Sequence, residues 1–454
     1  MRLPILLLTG LALALPSAAG ALTLREALAR TWETNPRLAI ARESVRLLAE
    51  DIEQARALGR PSAGVSGSTN QAIDGITRFA DGGRNASVGV AASVPLYRGG
   101  LIRSSVRAAT EREKAGRFDV AALENAVFLD AVRAYEDVRR DEAVVDLNRN
   151  NVRVLEEQLR ASRDRFEVGD LTRTDVAQSQ ARLARARSQL REAEAQLVAS
   201  VEVFASVVGT EPVALEPPPA LGDLPDTREA VVREALDSNP ELQSARASER
   251  AADEAIGVAR SARRPSLSAS ADANYTNFLG SRDDALGLPG GTLDNDLTRA
   301  GVGVTIAVPL YQGGALSSRV RQAQTRRSQA MLDIANTERL VTQQARTALE
   351  ALEAARAVII ASEEQVAASA LALEGVRAEN SVGLRTVLDV LNAEQELLNA
   401  RVELVRARRN EYVAGFALLA ALGRATAEDL QIPVGAPAGP LVGPPAPAPG
   451  RPRG

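Results

Sequence analysis

Apolar and polar residues alternate along several short stretches of the chain. In residues 88–97 every second position is apolar and the positions between them are small or polar, and residues 302–311 repeat this pattern. A third alternating stretch covers 266–275, and a weaker one rich in Gly and Ser lies near 62–70. Such alternation is typical of strands with one apolar and one polar face. The sequence therefore predicts four strands.

Long stretches without proline follow two of these strands. Residues 101–167 and 315–379 contain no proline and only one glycine each. At 1.5 Å per residue, each would form a helix of roughly 100 Å. Shorter helices are predicted at 36–60, 174–208 and 386–422. The predicted fold class is therefore mainly α, with a small strand portion.

The last helix of each half has a heptad pattern. These two helices follow Val-Gly turns at Gly169 and Gly383, which reverse the chain. The sevenfold rows, apolar except for Glu411, are Val176, Leu183, Leu190, Leu197 and Phe204, then Val390, Leu397, Leu404, Glu411 and Leu418. A row of mostly small residues lies three positions later. This pattern predicts coiled-coil seams in which the backbones approach closely.

The chain repeats its own motifs. Residues 35–61 align with 239–265 at an offset of 204, and residues 88–109 align with 302–323 at an offset of 214. The turn motifs VGDLTRTDV and VGLRTVLDV keep the offset of 214. Self-similarity of this kind predicts an internal two-fold repeat.

The repeat and the local composition divide the chain into regions. Residues 1–21 have one basic residue, an apolar core and small residues at their end, which is typical of an export signal peptide. The first repeat is predicted at 22–208 and the second at 226–422, joined by a Pro-rich linker at 209–227. Residues 423–454 form a Pro-rich tail that is predicted to be largely disordered.

The composition argues against an enzyme. The chain has no His and no Cys, which removes imidazole bases, thiolates and the usual zinc ligands. We therefore predict no catalytic residues, no metal and no cofactor. The formal net charge is −4, with 54 basic and 58 acidic side chains, so a nucleic-acid partner is not expected either.

Four strands are too few to close a barrel within one chain. Single-chain outer-membrane barrels begin at about eight strands. An open sheet edge in lipid leaves backbone groups unpaired. If the strands lie in a membrane, several copies must combine them. The helices alone are equally compatible with a periplasmic coiled-coil adaptor or scaffold without a pore.

The repeated motifs resemble a known family. ASVPLYRGG and AVPLYQGG, the Asn-Pro helix entries and the paired VGxxxxxDV turns are similar to those of the TolC family of trimeric outer-membrane efflux channels. The resemblance implies a homotrimer with a 12-stranded β-barrel in the outer membrane of a Gram-negative bacterium. It also implies a long α-helical coiled-coil barrel that extends into the periplasm.

The resemblance further implies a function and partners. Channels of this family export small molecules or proteins in tripartite efflux pumps or type I secretion systems. The implied partners are outer-membrane lipid, a periplasmic adaptor and an inner-membrane transporter of the RND or ABC type. The strand–helix corners would join the two barrels; they are Pro95, Gly99, Gly100, Pro309, Gly313 and Gly314.

The resemblance also implies a gate at the Val-Gly turns. In the family, an Arg on one inner helix bonds a Thr-Asp pair on the neighbouring helix, and these positions match Arg385, Thr174 and Asp175. Two acidic rings narrow the closed pore. Asp389 matches the first ring, whereas the second falls on the neutral Asn392.

Overall fold

A computed structural model describes residues 21–71, 84–279, 289 and 294–433. The expected signal peptide, apart from Ala21, and residues 434–454 of the expected tail lie outside the described residues. The helices in the described ranges are α1 (Leu24–Thr34), α2 (Pro36–Ala57), α3 (Leu101–Glu167), α4 (Arg173–Val208), α5 (Arg228–Ser238), α6 (Pro240–Ser261), α7 (Ala315–Ser381) and α8 (Val387–Ala421). The strands are β1 (Ser62–Gln71), β2 (Arg84–Arg98), β3 (Ser266–Asn277) and β4 (Asp296–Ala307).

The mainly helical fold with four strands is confirmed. The helices correspond in pairs along the chain: α2 and α6 have 22 residues each, and α3 and α7 have 67 each. The pair α4 and α8 has 36 and 35 residues. The long helices form because each stretch lacks proline and offers no strong stop signal before its Val-Gly turn.

The described residues separate into two compact units. One unit is Ile40–Val120 with Pro240–Leu340, and the other is Met1–Ala39 with Ala121–Asn239 and Val341–Gly454. Each unit takes segments from both halves of the chain. These compact units do not coincide with the predicted sequence repeats. The boundaries of the repeats and of the linker therefore stay a prediction.

The unit Ile40–Val120 with Pro240–Leu340 contains the sheet. The four strands are antiparallel in the order β1-β2-β3-β4, so β1 and β4 are the edges. The register places Val90 between Val65 and Ala273. Because opposite residues share a face, the period-two pattern of each strand is in phase with the next.

The two faces of the sheet differ in polarity. We call one the apolar face; it contains Val65, Val88, Val90, Val94, Ala269, Ala271, Ala273, Val302, Val304 and Ile306. On the other face, serine hydroxyls meet across the first strand pair: Ser62 with Ser93 at 3.0 Å and Ser68 with Ser87 at 2.9 Å. The apolar face is not packed on a core in the described chain, since Val302 is 89% exposed and Ile306 is 68% exposed.

The strand β4 is shorter than the sequence pattern predicts. The alternation continues to residue 311, but β4 ends at Ala307, opposite Ser266. The next position of β3 would be Pro265, which has no N–H to donate. The corresponding strand β2 continues to Arg98 because it pairs with β3 through a register shift between Pro95 and Tyr97. Pro95 therefore sits beside a bulge, where a proline is tolerated.

The other unit has the main hydrophobic core. Its buried residues come from α1, α3, α4, α8 and the segment after α8: Leu22, Leu24, Ala27, Leu28, Phe128, Ala131, Val132, Ala134, Tyr135, Val138, Phe204, Val208, Val413, Phe416, Leu419, Ala425, Ala427 and Ile432. The Tyr135 hydroxyl lies 2.8 Å from the carbonyl oxygens of both Leu22 and Glu216. Leu22 also forms a parallel bridge to Leu215. The start of the described chain is thereby bound to the linker segment.

The seam between α3 and α4 is built on the small residues of the predicted heptad pattern. Ser179 and Ala186 are buried, and the Ser179 hydroxyl meets that of Ser162 at 3.1 Å. Leu183 is also buried and packs with Leu155 and Leu159. The small positions of the predicted heptad pattern therefore lie in the seam between α3 and α4.

Candidate functional site at the two helix turns

The first turn joins α3 to α4. Gly169 has a φ of 82°, a left-handed conformation that glycine adopts without side-chain strain. The Gly169 N–H donates to the Phe166 carbonyl at 3.0 Å, and the Asp170 N–H donates to the Arg165 carbonyl at 2.8 Å. These bonds satisfy carbonyls that the end of α3 would leave unpaired.

A capping box then starts α4. The Thr172 N–H donates to Asp175 Oδ2 at 3.0 Å, and the Asp175 N–H donates to the Thr172 hydroxyl oxygen at 3.3 Å. The Thr172 hydroxyl itself lies 2.6 Å from the same carboxylate oxygen. Donation from the hydroxyl and the backbone of Thr172 lowers the pKa of Asp175 below its usual value.

The second turn joins α7 to α8 with the same backbone design. Gly383 has a φ of 81°, and the Leu384 N–H donates to the Glu379 carbonyl at 2.9 Å. The Thr386 N–H donates to Asp389 Oδ2 at 3.0 Å, and the Asp389 N–H returns a bond to the Thr386 hydroxyl at 3.2 Å. The Thr386 backbone and hydroxyl lower the pKa of Asp389.

An ion pair crosses each turn, but the order of the charges is reversed. In the first turn Arg165 Nε donates to Asp170 Oδ2 at 2.7 Å, so the base is on the helix. In the second turn Arg385 Nε donates to Glu379 Oε2 at 2.7 Å, so the acid is on the helix. The Asn380 side-chain amide also donates to the Arg385 carbonyl at 2.7 Å.

The two turns are neighbours in the same unit. Helices α3, α4 and α8, which border the turns, contribute one buried cluster: Leu155, Leu159, Leu183, Ala186, Val387 and Leu391. Beside it, Arg182 Nη2 on α4 donates to Asn392 Oδ1 on α8 at 2.6 Å. The helices that leave the two turns are therefore joined by both apolar packing and a charge-assisted hydrogen bond.

The residues predicted for the latch all lie at these turns. In the described part of the single chain, no bond joins Arg385 to Thr174 or Asp175. Arg385 pairs with Glu379 in its own turn, Asp175 accepts from Thr172, and Thr174 is exposed. The latch between Arg385 and the pair Thr174-Asp175 therefore stays a prediction for this protein.

The residues predicted for the pore rings have further contacts in the structure. Asp389 belongs to the capping box of α8, and Asn392 accepts the bond from Arg182. Sequence reasoning missed Arg182 and Glu379. The T-x-x-D pattern before each final helix is a capping signal that identifies Thr172 and Thr386. No local signal joins Arg182 to Asn392, because 210 positions separate them.

The strand–helix corners lie in the unit that contains the sheet. Their four glycines all have positive φ: Gly99 63°, Gly100 90°, Gly313 57° and Gly314 82°. Pro95 lies in β2 beside the bulge, whereas Pro309 follows the end of β4. The two corners have similar glycine φ angles and nearly the same sequence, but their surroundings differ, because Gly99 is closely packed and Gly313 is exposed.

None of the described helices is both long enough and apolar enough to span a membrane. Among the described residues, no group of three or more Asp or Glu side chains is arranged to hold a metal ion.

Comparison with known proteins finds one family over most of the chain. The model of the family described as outer membrane efflux protein matches residues 27–210 and again 231–424. The chain is 33% identical to the outer membrane efflux protein BepC of Brucella suis, over 91% of this chain and 88% of the relative. It is 29% identical to the outer membrane protein TolC of Escherichia coli, over 78% and 74% of the two chains.

Solved structures have the same fold. The outer membrane protein VceC from Vibrio cholerae matches with a TM-score of 0.72 and 22% identity, over 88% of this chain and 96% of its own. The CmeC outer membrane channel of Campylobacter jejuni matches with a TM-score of 0.73 and 19% identity, over 88% and 85%.

Proposed function

Because the chain belongs to the outer membrane efflux protein family, we propose that it is an outer-membrane channel that exports small molecules or proteins. The channel works in a tripartite efflux pump or a type I secretion system. This chain is similar to relatives named for the export of a small molecule and to relatives named for protein secretion. Examples are the pyoverdine export protein OpmQ and the alkaline protease secretion protein AprF, both of Pseudomonas aeruginosa.

The apolar face of the sheet is the observation that carries this function. A soluble protein rarely leaves a contiguous apolar surface of this kind open to water. A barrel wall places such a face against lipid and the opposite, polar face toward the lumen. This argues against a periplasmic adaptor or scaffold without a pore, which has no need for a sheet of this kind.

The assembled state that we propose is a homotrimer. Three copies of the four-stranded sheet supply twelve strands, and closure removes the open edges at β1 and β4 that lipid would leave unpaired. The long helices then form the wall of an α-helical barrel in the periplasm. The partners are a periplasmic adaptor and an inner-membrane transporter of the RND or ABC type.

We also propose that the chain arose by duplication. The repeats are 22–208 and 226–422, and the linker at 209–227 joins them. The equal lengths of α3 and α7, the matching turns and the two matches of the family model support this division. Residues 423–454 form the tail.

The helix turns are the proposed gate of the channel. In the assembly, the Arg385 guanidinium bonds Thr174 and Asp175 of a neighbouring helix. Its ion pair with Glu379 is then either broken or kept alongside these bonds. Surface pairs of this kind contribute about 0–1 kcal/mol each. A gate closed by three such pairs can be opened by a docking adaptor. Asp389 forms the charged ring of the constriction, and Asn392 occupies the position of a second ring without charge.

Reconstitution tests the proposed function. The mature protein, purified in detergent, should have the mass of three chains and should produce discrete conductance steps in planar lipid bilayers. Size-exclusion chromatography with light scattering gives the mass, and single-channel recording gives the conductance. A mature chain that remains monomeric in water without detergent and produces no steps would contradict the channel and favour the adaptor.

A further inference from the structure

The first strand–helix corner is filled by the end of α6. A Cβ built on Gly99 would lie 2.7 Å from both the Arg264 Cβ and the Ser261 carbonyl oxygen. The Arg264 guanidinium donates from Nη1 to the Gly99 carbonyl at 3.0 Å. Gly99 is therefore buried, and its lack of a side chain allows this close approach.

The second corner has similar glycine φ angles and differs in sequence only at Gln312, which replaces Arg98, but it is open. Gly313 has a φ of 57°, close to the 63° of Gly99. Among the described residues, no atom lies within 4 Å of a Cβ built on Gly313 or on Gly314, and both glycines are exposed. The described part of the chain thus repeats a corner that is built for close contact, and no described residue fills the second copy.

The sequence repeat identifies the missing group. The segment 55–61 that ends α2 aligns with 259–265 at the offset of 204, which places Arg60 at the position of Arg264. Arg60 is 63% exposed, and its Nη2 bonds Glu53 at 3.1 Å. It precedes β1, whereas Gly313 follows β4, and these strands are the opposite edges of the sheet. The Arg60 that fills the Gly313 corner must come from another copy.

A second pair of groups gives the same result independently. Within the chain, Arg107 Nη1 on α3 pairs with Glu254 Oε1 on α6 at 3.4 Å. The two repeat offsets place Arg321 at the position of Arg107 and Glu50 at the position of Glu254. Both side chains are exposed, and neither has an ion pair or hydrogen bond in the described part of the chain. Glu50 is in α2, which precedes the edge strand β1, and Arg321 is in α7, which follows the edge strand β4; their charges are complementary.

We propose that the contact between α3 and α6 within the chain is repeated between α7 of one copy and α2 of the next. Arg60 of the next copy donates to the Gly313 carbonyl, and Glu50 of the next copy pairs with Arg321. This inference rests on the proposed function, because it names the contact that closes the assembly. The two surfaces differ, so the contact is head-to-tail and repeats around a ring.

The same contact sets the register of the strands that close the barrel. Within the chain, Ala92 of β2 lies opposite Ala271 of β3. The offsets place Ile306 of β4 opposite Gly67 of the next copy's β1, which keeps the apolar face continuous between copies. Residues 308–312 then gain a partner, and β4 extends to Gln312, as β2 extends to Arg98.

A disulfide between copies tests the contact directly, since the chain has no natural cysteine. Within the chain, a Cβ built on Gly257 lies 3.1 Å from the Ser104 Cβ, near the spacing of about 3.5–4.5 Å found in disulfides. The corresponding positions between copies are Glu53 and Ser318. The variant with Glu53→Cys and Ser318→Cys should form covalent dimers and trimers when purified in detergent and mildly oxidised.

Matched controls identify the source of any crosslink. The variant with Gly257→Cys and Ser104→Cys should form its disulfide within one chain and remain a monomer on a non-reducing gel. Each single-cysteine variant at 53 or 318 should stay monomeric on the same gel, although one thiol per chain could link two chains into a dimer. Covalent dimers in either single variant, at the yield of the double variant, would overturn the proposed pairing.

The mass of the double variant before oxidation separates the two proposals. A trimer that forms no disulfide between Cys residues at 53 and 318 overturns this contact and leaves the channel intact. A monomer in detergent overturns the contact and the proposed assembly together. As a second measurement, Arg321→Glu should lower the temperature at which the trimer dissociates on a gel, and the added change Glu50→Arg should restore it. A trimer unaffected by Arg321→Glu would contradict the ion pair.

Discussion

Arg385 Nε donates to Glu379 Oε2 at 2.7 Å and so joins the two sides of the second helix turn. Both side chains are about half exposed, so the pair is a weak surface contact that can exchange partners. The first turn has the opposite order, with Arg165 on the helix and Asp170 in the turn. Only the second turn therefore places a guanidinium in the turn itself, where a neighbouring helix can reach it.

The gate predicts a gain of conductance when this guanidinium is removed. Arg385→Ser should raise single-channel conductance and make cells more permeable to large antibiotics, because it removes the guanidinium that we propose holds Thr174 and Asp175. Planar-bilayer recording measures the first effect and growth inhibition the second. Arg165→Ser is the matched control and should leave conductance unchanged. Equal effects of the two variants would contradict a specific latch at Arg385.

The charged ring predicts a cation effect at Asp389. Three such carboxylates near one axis attract multivalent cations, so Asp389→Asn should abolish block of the channel by these ions. Thr386→Ala is the control, because it breaks the same capping box but keeps the charge, and block should persist. Block that survives in Asp389→Asn would place the ring elsewhere.

Acidity should weaken the start of α8 in a defined direction. The folded-state pKa of Asp389 is lowered by Thr386, so its contribution to stability is present above its unfolded pKa of about 4 and is lost as pH falls through the lower folded value. Hydrogen exchange at residues 386–390 should therefore differ between the natural protein and Asp389→Asn near neutral pH. The difference should disappear in strong acid, and a difference independent of pH would contradict this origin.

The turn glycines predict a local loss of stability. Gly169→Ala and Gly383→Ala place a side chain at a φ near 80°, which costs about 1–2 kcal/mol. Local hydrogen exchange at the turns should accelerate by about one order of magnitude. Gly375 lies within α7, and no atom of another described residue beyond its own helix turn is within 4 Å of a built Cβ, so Gly375→Ala should instead stabilise its helix. Slower exchange at the turns in the first two variants would be inconsistent with the observed φ values.

The two faces of the sheet should differ in their tolerance of an introduced charge. Val302→Arg puts a charge on the apolar face, at a cost of about 2–4 kcal/mol if the residue lies at the bilayer midplane. The fraction of protein assembled in the outer membrane should fall. Thr305→Arg, on the polar face of the same strand, should assemble normally. Equal assembly of the two variants would argue against lipid on the apolar face.

The sequence predicted most elements because their signals are local. The absence of proline sets α3 and α7, and the glycines at 169 and 383 set the turns. The end of β4 was not predictable from its own pattern, because it depends on Pro265 in the neighbouring strand. The short helices α1 and α5, which precede α2 and α6, were not predicted from the sequence. They are short, and the core around Tyr135 stabilises α1 through long-range packing.

The sequence predicted where the residues of the candidate site lie, but it did not predict which residues they bond. Arg385, Asp175 and Asp389 do lie at the turns, but their bonding partners in the single chain are Glu379, Thr172 and Thr386. The Arg182–Asn392 bond joins residues far apart in sequence and follows only from the packing of α4 against α8. The latch was predicted from the family resemblance alone, because its residues do not bond each other in the described single chain.

The open edges at β1 and β4 also affect how a cell can tolerate faulty copies. In the proposed trimer, a subunit with one intact edge and one altered edge can still pair with a neighbour through the intact edge, but it prevents the ring from closing. Such an allele should be dominant negative, since each variant subunit would inactivate a complex that also contains wild-type subunits.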